Sequence, residues 1–237
     1  MESLVQKAER FDSLSFIAAG ISHDLNNFIG GIMGNIELAV LSLEPGHPSQ
    51  KNLDHAMDIL SKTHDLTKQL NSVSKGTELS SELIDIEKLI RETATPYYRK
   101  KSCIKMNFEF DTKLPRIIAN RTQMMQVIAN LLINAIQSIT GNGSIHLKCT
   151  TDVDFTQIPL QEDKSYLKFS VTDSGSGIDP EVLQHIFEPY YTTKKDGTGL
   201  GLAIVSSIIK KHGGYLQVSS GIGKGTTFEI YLPAQFE

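Results

Sequence analysis

A seven-residue repeat of apolar residues in the first forty positions is the feature that most constrains how this 237-residue chain can fold. Residues 4–43 contain no proline. The repeat is carried by Leu4, Phe11, Ala18, Leu25, Ile32 and Ala39, with Leu14, Ile21 and Phe28 at its second apolar position. A helix of about 40 residues is too long for a lone globular element, so the repeat predicts a coiled coil or a helical bundle.

A second helix is predicted from about residue 49 to residue 75, after the breaker Glu44-Pro45-Gly46-His47-Pro48. Its apolar stripe is wide and consists of Leu53, Ala56, Ile59, Leu60, Leu66, Leu70 and Val73. An apolar stripe of this width needs more than one neighbouring helix to bury it. We therefore expect a helical hairpin that pairs with a second copy of the chain into a dimeric four-helix bundle.

The pattern changes after Gly76, where short β-rich runs begin to alternate with helical patterns. The β-rich runs are 82–86, 104–110, 144–151, 166–172, 215–219 and 226–232, and the helical patterns are 87–98, 121–140 and 199–212. The predicted fold class is α+β, with a helical hairpin at 1–76, a linker at 77–82 and an α/β sandwich domain at 83–237.

Charge and cysteine content argue against several classes of protein. The 23 basic and 27 acidic side chains give a net charge of −4 without a dense basic run, so we expect no nucleic-acid partner. The two cysteines, Cys103 and Cys149, lack the spacing of a zinc or redox site. The longest uncharged run, 122–145, contains repeated amides, so no membrane contact is expected within this chain. With no signal peptide at its start, the chain is expected in the cytoplasm.

His23 is predicted to face outward on the first helix, opposite the apolar repeat. Asn27 lies one turn further along the same strip, together with Gly20, Gly30 and Gly34. Helical glycines are unfavourable by about 0.5 to 1 kcal/mol each, so the strip is cleared of bulk around the imidazole at a cost. A lone surface histidine is ordinarily just solvated. An acid at Asp24, the Asn27 amide and the bare strip instead favour an imidazole that a large partner must reach.

Amide side chains recur on one face of the helix predicted at 121–140, at Gln126, Asn130 and Asn134. Buried amides are unfavourable unless they find partners, so they either bond to neighbouring loops or form a binding site. An amide oxygen is a hard ligand that suits Mg²⁺ already carrying phosphate oxygens. The pattern is therefore compatible with either a structural ladder or a magnesium–phosphate site.

Glycine-rich motifs follow in the second half of the chain. They are Asp173-Ser174-Gly175-Ser176-Gly177-Ile178 after an apolar strand, Phe187-Glu188-Pro189-Tyr190-Tyr191-Thr192-Thr193-Lys194, Gly197-Thr198-Gly199-Leu200-Gly201-Leu202 before a helix, and Gly223-Lys224-Gly225-Thr226-Thr227-Phe228 at the last strand. The Asp173 carboxylate can accept a hydrogen bond from an adenine amino group, and amides at a helix start form an anion site. None of these motifs is a P-loop.

The segment 21–27 resembles the phosphoacceptor box of sensor histidine kinases, and the later motifs follow the order found in the GHKL superfamily. That superfamily includes gyrase, the heat-shock chaperone ATPases, histidine kinases and mismatch-repair ATPases. The resemblance implies a Bergerat-type sandwich that binds ATP with Mg²⁺ between the amide helix and a lid at about 179–198. Because the chain opens inside the seven-residue repeat, we expect it to be part of a longer sensor, either soluble or membrane-bound.

The resemblance implies a role for each matching residue. His23 would be the phosphorylated nucleophile, Asp24 its base, and Asn27 an orienting amide for the reverse, phosphatase reaction. Asn134, with Asn130 beside it, would hold Mg²⁺, and Asp173 would read adenine. Close backbone or side-chain contact with the nucleotide would come from Gly175, Gly177, Lys194, Thr198, Gly199, Leu200, Gly201, Leu202 and Thr226.

The predicted function is autophosphorylation on His23 with ATP, followed by transfer to an aspartate of a response-regulator receiver domain. Two departures from the family pattern shift the phosphate contacts toward Mg²⁺ and Lys194. Many members have a basic residue where this chain has Gln137, and another lid type has an arginine where it has Thr192. The alternatives are a GHKL ATP-driven clamp, whose helices only dimerise, and a non-catalytic dimeric scaffold.

Overall fold

The computed structural model describes residues 27–44, 46–74, 81–98, 103–153, 159, 165–194 and 197–235. The chain divides into two compact units, Met1–Glu78 and Leu79–Glu237. His23 and Asp24 lie outside the described residues. None of the helices in the described part of the chain combines the length and apolar character needed to cross a bilayer.

Two helices lie in the described part of the first unit. The described part of α1 spans residues 27–41, and α2 spans Gln50–Ser74. They are separated by a turn in which Gly46 has a φ of +87° and the amide of His47 donates to the carbonyl of Glu44. The predicted helix boundaries around Pro45 and Pro48 are therefore confirmed, because the prolines and the left-handed glycine prevent one continuous helix.

Helix α1 has two apolar faces rather than one. The inner face contains the buried Ile29 and the partly buried Met33, Ile36 and Val40. The predicted heptad positions fall on the other face, where Phe28 is 67% exposed and Ile32 is 49% exposed in the single chain. Apolar groups at both positions mark a face that the single chain leaves to solvent.

The second unit is a two-layer α/β sandwich. Its elements are β1 Glu82–Ile84, α3 Ile86–Tyr98, β2 Ile104–Phe110, β3 Arg116–Ala119, α4 Arg121–Ser138, β4 Gly143–Thr150, β5 Tyr166–Asp173, α5 Pro180–Leu183, α6 Gly201–Lys211, β6 Tyr215–Gly221 and β7 Gly225–Gln235. The six predicted strands and three predicted helices are all present. Two short elements, β3 and α5, were not predicted.

The seven strands in the described residues form one sheet in the order β1-β3-β7-β5-β4-β2, with β6 also paired to β7. Among these described strands, β2 and β4 pair in parallel, and the other pairings are antiparallel. Helices α3, α4 and α6 contact the sheet, and α4 lies between the other two and contacts both. The core lies between these layers and includes Leu89, Ile128, Leu131, Leu147, Phe169, Ile204 and Ile230, each at most 2% exposed. The sheet and its covering helices therefore fix where the ends of α4, β5 and α6 meet.

Candidate functional site

Helix α4 is the scaffold of the candidate site. The side chain of Asn120 caps its first turn by accepting a hydrogen bond from the amide of Gln123 at 3.0 Å. Its apolar face is buried in the core, and the amide ladder runs along one border of that face. Along that edge Asn130 is buried, Asn134 is partly exposed and Gln137 is exposed. The ladder therefore runs from the core toward solvent.

The buried amide of Asn130 connects α4 to α6. Its Nδ2 donates to the carbonyl of Gly201 at 3.2 Å, and a side chain at Gly201 would meet Asn130 only at ordinary van der Waals distance. The first turn of α6 is thus positioned by the predicted Asn motif, which satisfies an otherwise unfavourable buried amide. The sequence left a structural ladder and a binding site open, and the Nδ2 atom of Asn130 makes a contact of the structural kind.

Asp173 ends β5 with its side chain buried, only 5% of the residue being exposed. Its Oδ1 accepts a hydrogen bond from the amide of Gly175 at 2.7 Å and lies 2.9 Å from the hydroxyl oxygen of Ser138. Both contacts fall on Oδ1, so they orient the carboxylate. A buried carboxylate oriented through one oxygen can present the other to a hydrogen-bond donor, such as an amino group.

Glycine is required beside Asp173 because the backbone is crowded there. A Cβ on Gly175 would lie 2.1 Å from the Ser138 hydroxyl oxygen. A Cβ on Gly177 would lie 1.9 Å from the carbonyl oxygen of Gly221, the last residue of β6. These two glycines were predicted to let the backbone approach a ligand closely. In the structure the atoms that crowd them belong to the protein itself.

The closing strand borders the same site. Thr226 is paired in register with Asp173, is buried, and has its hydroxyl 2.9 Å from the hydroxyl of Ser220. Ser220 in turn accepts a hydrogen bond from the amide of Ile178 at 2.9 Å. The Asp-Gly motif and the last strand are thus joined through one serine.

Lys194 reaches the exposed end of the amide ladder. Its ammonium nitrogen lies 2.7 Å from Oε1 of Gln137 and 3.0 Å from Oδ1 of Asn134. Although the residue as a whole is exposed, partial burial of the ammonium lowers the pKa of Lys194, and the negative charge of Asp173 acts in the opposite direction. Two predicted site residues, Asn134 and Lys194, are therefore in direct contact.

The segment before α6 is anchored by a close backbone contact. The amide of Tyr190 donates to the carbonyl of Gly199 at 3.0 Å, and a Cβ on Gly199 would lie 2.3 Å from the carbonyl carbon of Tyr190. Tyr190 itself has a φ of +66°, which is uncommon for a residue with a side chain. Leu200 is buried at the start of α6, Leu202 is partly buried, and Thr198 is exposed.

The predicted residues therefore fall into two groups. One group belongs to the second unit and consists of Asn130 and Asn134 on α4, Asp173 at the end of β5, Lys194 between α5 and α6, Gly201 at the start of α6 and Thr226 near the start of β7. Asn27 lies exposed on α1 of the first unit, near Gly30 and Gly34, where a Cβ would meet nothing within 4 Å. The glycine strip predicted from the sequence is thus open along its described part.

Sequence reasoning missed Ser138 as a site residue. It lies four residues after Asn134, so it continues the ladder of Gln126, Asn130 and Asn134 at the same helical spacing. That spacing was the available signal.

The amide oxygens at the exposed end of α4 fit a cation. Asn134 and Gln137 both direct their oxygens at one positive group, the Lys194 ammonium, without a carboxylate between them. Neutral hard oxygens of this kind are also magnesium ligands when phosphate supplies the remaining charge. The residues present are therefore suited to Mg²⁺ bound together with a phosphate ester.

Comparisons with known proteins support this description. Residues 119–235 match the family described as histidine kinase-, DNA gyrase B- and HSP90-like ATPase. The sensor histidine kinase ZraS of Escherichia coli K12 is 33% identical over 239 residues, covering 98% of this chain and 48% of ZraS. The sensor kinase CckA of Brucella abortus is 30% identical, covering 100% of this chain and 26% of CckA. The chain thus spans about half or less of these relatives.

Solved structures with the same architecture are also known. The catalytic domain of histidine kinase ThkA is 33% identical, with a TM-score of 0.55 over 65% of this chain and 95% of that domain. Full-length ShkA in complex with AMPPNP is 26% identical, with a TM-score of 0.74 over 93% of this chain and 46% of ShkA. ThkA in complex with the response regulator TrrA is 26% identical, with a TM-score of 0.63 over 97% of this chain and 64% of ThkA.

Proposed function

This chain belongs to the sensor histidine kinase family, and from that membership we propose that it phosphorylates itself on His23 with ATP and passes the phosphoryl group to a response-regulator aspartate. Dimerisation and phosphotransfer would be tasks of the helical hairpin at residues 1–76. A linker at 77–82 would connect it to the ATP-binding domain at 83–237. The reaction would take place in the cytoplasm, where ATP is available.

One observation carries the proposal. Two contacts lie one turn apart on the same edge of α4. The Lys194 ammonium donates to Asn134, and the Ser138 hydroxyl donates to the buried carboxylate of Asp173. A positive group and an oriented carboxylate on one helix edge match the two ends of ATP, because the phosphates need positive charge and adenine offers an amino donor. Asp173 would therefore read adenine, and Asn134 and Lys194 would face the phosphates.

Phosphoryl transfer would be driven mainly by positioning and charge compensation. The Nε2 atom of His23 would form a bond to the γ-phosphorus while the bond to the bridging oxygen breaks and ADP leaves with the electron pair. Asp24 would accept a hydrogen bond from Nδ1 and keep the proton off Nε2. In the second step an aspartate oxygen of the regulator would form the new bond to phosphorus as the N–P bond breaks.

Mg²⁺ bound at Asn134 would neutralise part of the triphosphate charge. Asn130 would support that position indirectly, through its hydrogen bond to Gly201. The ammonium of Lys194 would add the positive charge that no residue of α4 beyond Arg121 provides.

The partners follow from the first unit. Phe28 and Ile32 on the outer face of α1 are exposed apolar residues in the heptad register, which supports pairing with a second copy into a four-helix bundle. A receiver domain would then approach the glycine strip at Gly30 and Gly34, which no side chain covers among the described residues. The ThkA–TrrA complex is a structural neighbour in which such a partner is present.

Labelling with radioactive ATP tests the kinase reaction. The parent protein should take up label that is labile to acid and stable to base, and His23→Gln should take up none while retaining ATP affinity. His55→Gln is the matched control, since His55 is an exposed histidine on α2. ATP hydrolysis without bound label would instead support the clamp alternative, and neither hydrolysis nor label would support a scaffold.

The residues beside His23 would have separate roles in the forward and reverse reactions. Asp24→Asn should slow autophosphorylation and spare dephosphorylation of the cognate regulator. Asn27→Ala should do the opposite, because the amide would orient a water and needs no charge. Equal loss of both rates in both variants would show that the two side chains only support the helix.

A further inference from the structure

The contact between Lys194 and Gln137 points to a function for Gln137. The ammonium nitrogen is 2.7 Å from Gln137 Oε1 and 3.0 Å from Asn134 Oδ1. Residues three apart on a helix share a face, so the two amide oxygens receive one donor together. The shorter of the two hydrogen bonds is the one to Gln137.

This lysine differs from others in the described part of the same domain. Lys148 lies 2.6 Å from a carboxylate oxygen of Glu109, and Lys168 is paired with Glu229, so both are held by opposite charge. Lys194 is held instead by two neutral oxygens, which orient an ammonium without cancelling its charge. Its positive charge is therefore not paired with a carboxylate in this contact and remains available to an anion.

Helix α4 cannot supply that charge itself. Residues 122–145 contain no Lys, Arg, Asp or Glu. A cation at the exposed end of the amide ladder must therefore come from another segment, and a neutral acceptor on α4 is the means of holding it there.

We propose that Gln137 is a positioning residue that holds the ammonium of Lys194 at the phosphate end of the nucleotide site. The inference rests on the nucleotide site of the proposed function and deepens it. Asn134 is the proposed magnesium ligand, whereas Gln137 has no such second task. Gln137 can therefore retain the lysine when the Asn134 oxygen turns to the metal, which keeps two positive groups on separate acceptors.

Hydrogen exchange on the nucleotide-free protein tests the contact directly. The measured amides are those of residues 191–194, where the Lys194 amide donates to the Thr192 hydroxyl oxygen at 3.1 Å. Loss of a hydrogen bond to a charged group, as in Gln137→Ala, should speed their exchange by about tenfold. Gln137→Lys should speed it further through like-charge repulsion, while Gln137→Glu should not speed it, because a carboxylate keeps the ammonium.

The order of these variants separates a specific contact from a general effect of mutating α4. Equal acceleration in the Ala and Glu variants, or none in the Ala variant, would overturn the proposal. In a Lys194→Met background Gln137→Ala should have no further effect, since its partner is gone. Continued acceleration in that background would likewise overturn it.

Titration with Mg²⁺ and a nonhydrolysable ATP analogue tests the link to phosphate. Gln137→Glu should weaken binding by at least about tenfold, because its carboxylate neutralises the ammonium and repels phosphate. Gln137→Lys should bind at least as well as the parent. If neither the parent nor any variant binds the analogue, the proposed function is wrong, while the hydrogen-exchange results for the Gln137–Lys194 contact still hold. If the affinities for the analogue instead rank the variants as hydrogen exchange does, with Gln137→Glu binding tightest, the ammonium of Lys194 does not lie at the phosphate end.

Discussion

The hydroxyl oxygen of Ser138 lies 2.9 Å from Oδ1 of Asp173, so the last turn of α4 contacts the carboxylate that ends β5. Oδ1 also accepts from the amide of Gly175 at 2.7 Å. The same hydroxyl is 2.8 Å from the carbonyl oxygen of Ala135, so one hydrogen serves two acceptors. Ser138 thus orients a residue that lies 35 positions later in the chain.

Replacing Ser138 by Ala should loosen Asp173 and weaken adenine recognition. We expect ATP affinity to fall by roughly three- to tenfold, which corresponds to about 0.7 to 1.4 kcal/mol and so to one ordinary hydrogen bond, and the preference for ATP over GTP to narrow. Asp173→Asn should remove the preference further. Equilibrium titration with both nucleotides measures the effect.

Ser174→Ala is the matched control for this change. Its hydroxyl oxygen accepts a hydrogen bond from the amide of Ser144 at 2.9 Å, in the same loop but away from the Asp173 carboxylate contacts. If both serine variants lose preference equally, the loop rather than the carboxylate would be responsible.

Local patterns predicted most of the fold. Strand β2 was predicted at its observed limits, Ile104–Phe110, because its apolar and polar residues alternate and one face is buried. Strand β3 was missed because it is four residues long and is held by pairing with β1 and β7, which are distant in sequence. Helix α5 was missed for its length, although Asp179 caps it and Pro180 begins it.

The site shows the same contrast between local patterns, which the sequence displays, and contacts between residues distant in sequence. Asn134, Asp173 and Lys194 were found as members of ordered motifs, which a sequence displays directly. The contacts of Ser138 with Asp173 and of Gln137 with Lys194 join residues 35 and 57 positions apart, so they depend on how α4 packs against the sheet. No local pattern contains that information.

The two asparagines of α4 should give different phenotypes. Asn130→Ala removes the buried hydrogen bond to Gly201 and should lower the free energy of unfolding by about 1 to 3 kcal/mol. Asn134→Ala, at a partly exposed position, should leave stability nearly unchanged and abolish the Mg²⁺ dependence of ATP affinity. Urea denaturation and titration with and without Mg²⁺ separate them. A stability loss in Asn134→Ala alone would reverse the assignment.

Gly225 and Gly223 offer a matched test of backbone crowding beside Asp173. Both have positive φ values, +79° and +72°, so alanine strains the backbone at either by about 1 kcal/mol. At Gly225 the added Cβ would also lie 1.9 Å from the carbonyl oxygen of Asp173, whereas at Gly223 nothing lies within 4 Å. Denaturation should show a loss above about 3 kcal/mol for Gly225→Ala only. Similar losses in the free energy of unfolding for both variants would mean that the end of β5 shifts to accommodate the added Cβ.

The two cysteines should react at very different rates with a thiol reagent. Cys103 is exposed, while Cys149 lies fully buried in β4. Burial raises the pKa of the Cys149 thiol well above its ordinary value, and nearby acidic groups act in the same direction, so almost no thiolate is present at neutral pH. A chromogenic disulfide should therefore titrate one thiol in native protein and two in urea. Two fast thiols in the native state would contradict the burial of β4.

His212 should stabilise the start of α4 from the end of α6. Its Nε2 accepts a hydrogen bond from the amide of Asn120 at 3.1 Å, and its Nδ1 lies 2.8 Å from the carbonyl oxygen of Ile208. The proton therefore belongs on Nδ1, because Nε2 must accept. His212→Phe keeps the ring but removes both bonds, and should lower the free energy of unfolding by about 1 to 2 kcal/mol. Exchange of the Asn120 amide should speed up, while the Met124 amide, bonded to the carbonyl of Asn120 at 3.0 Å, should stay protected. If both amides exchange faster together, His212 supports the whole first turn of α4 rather than this single donor.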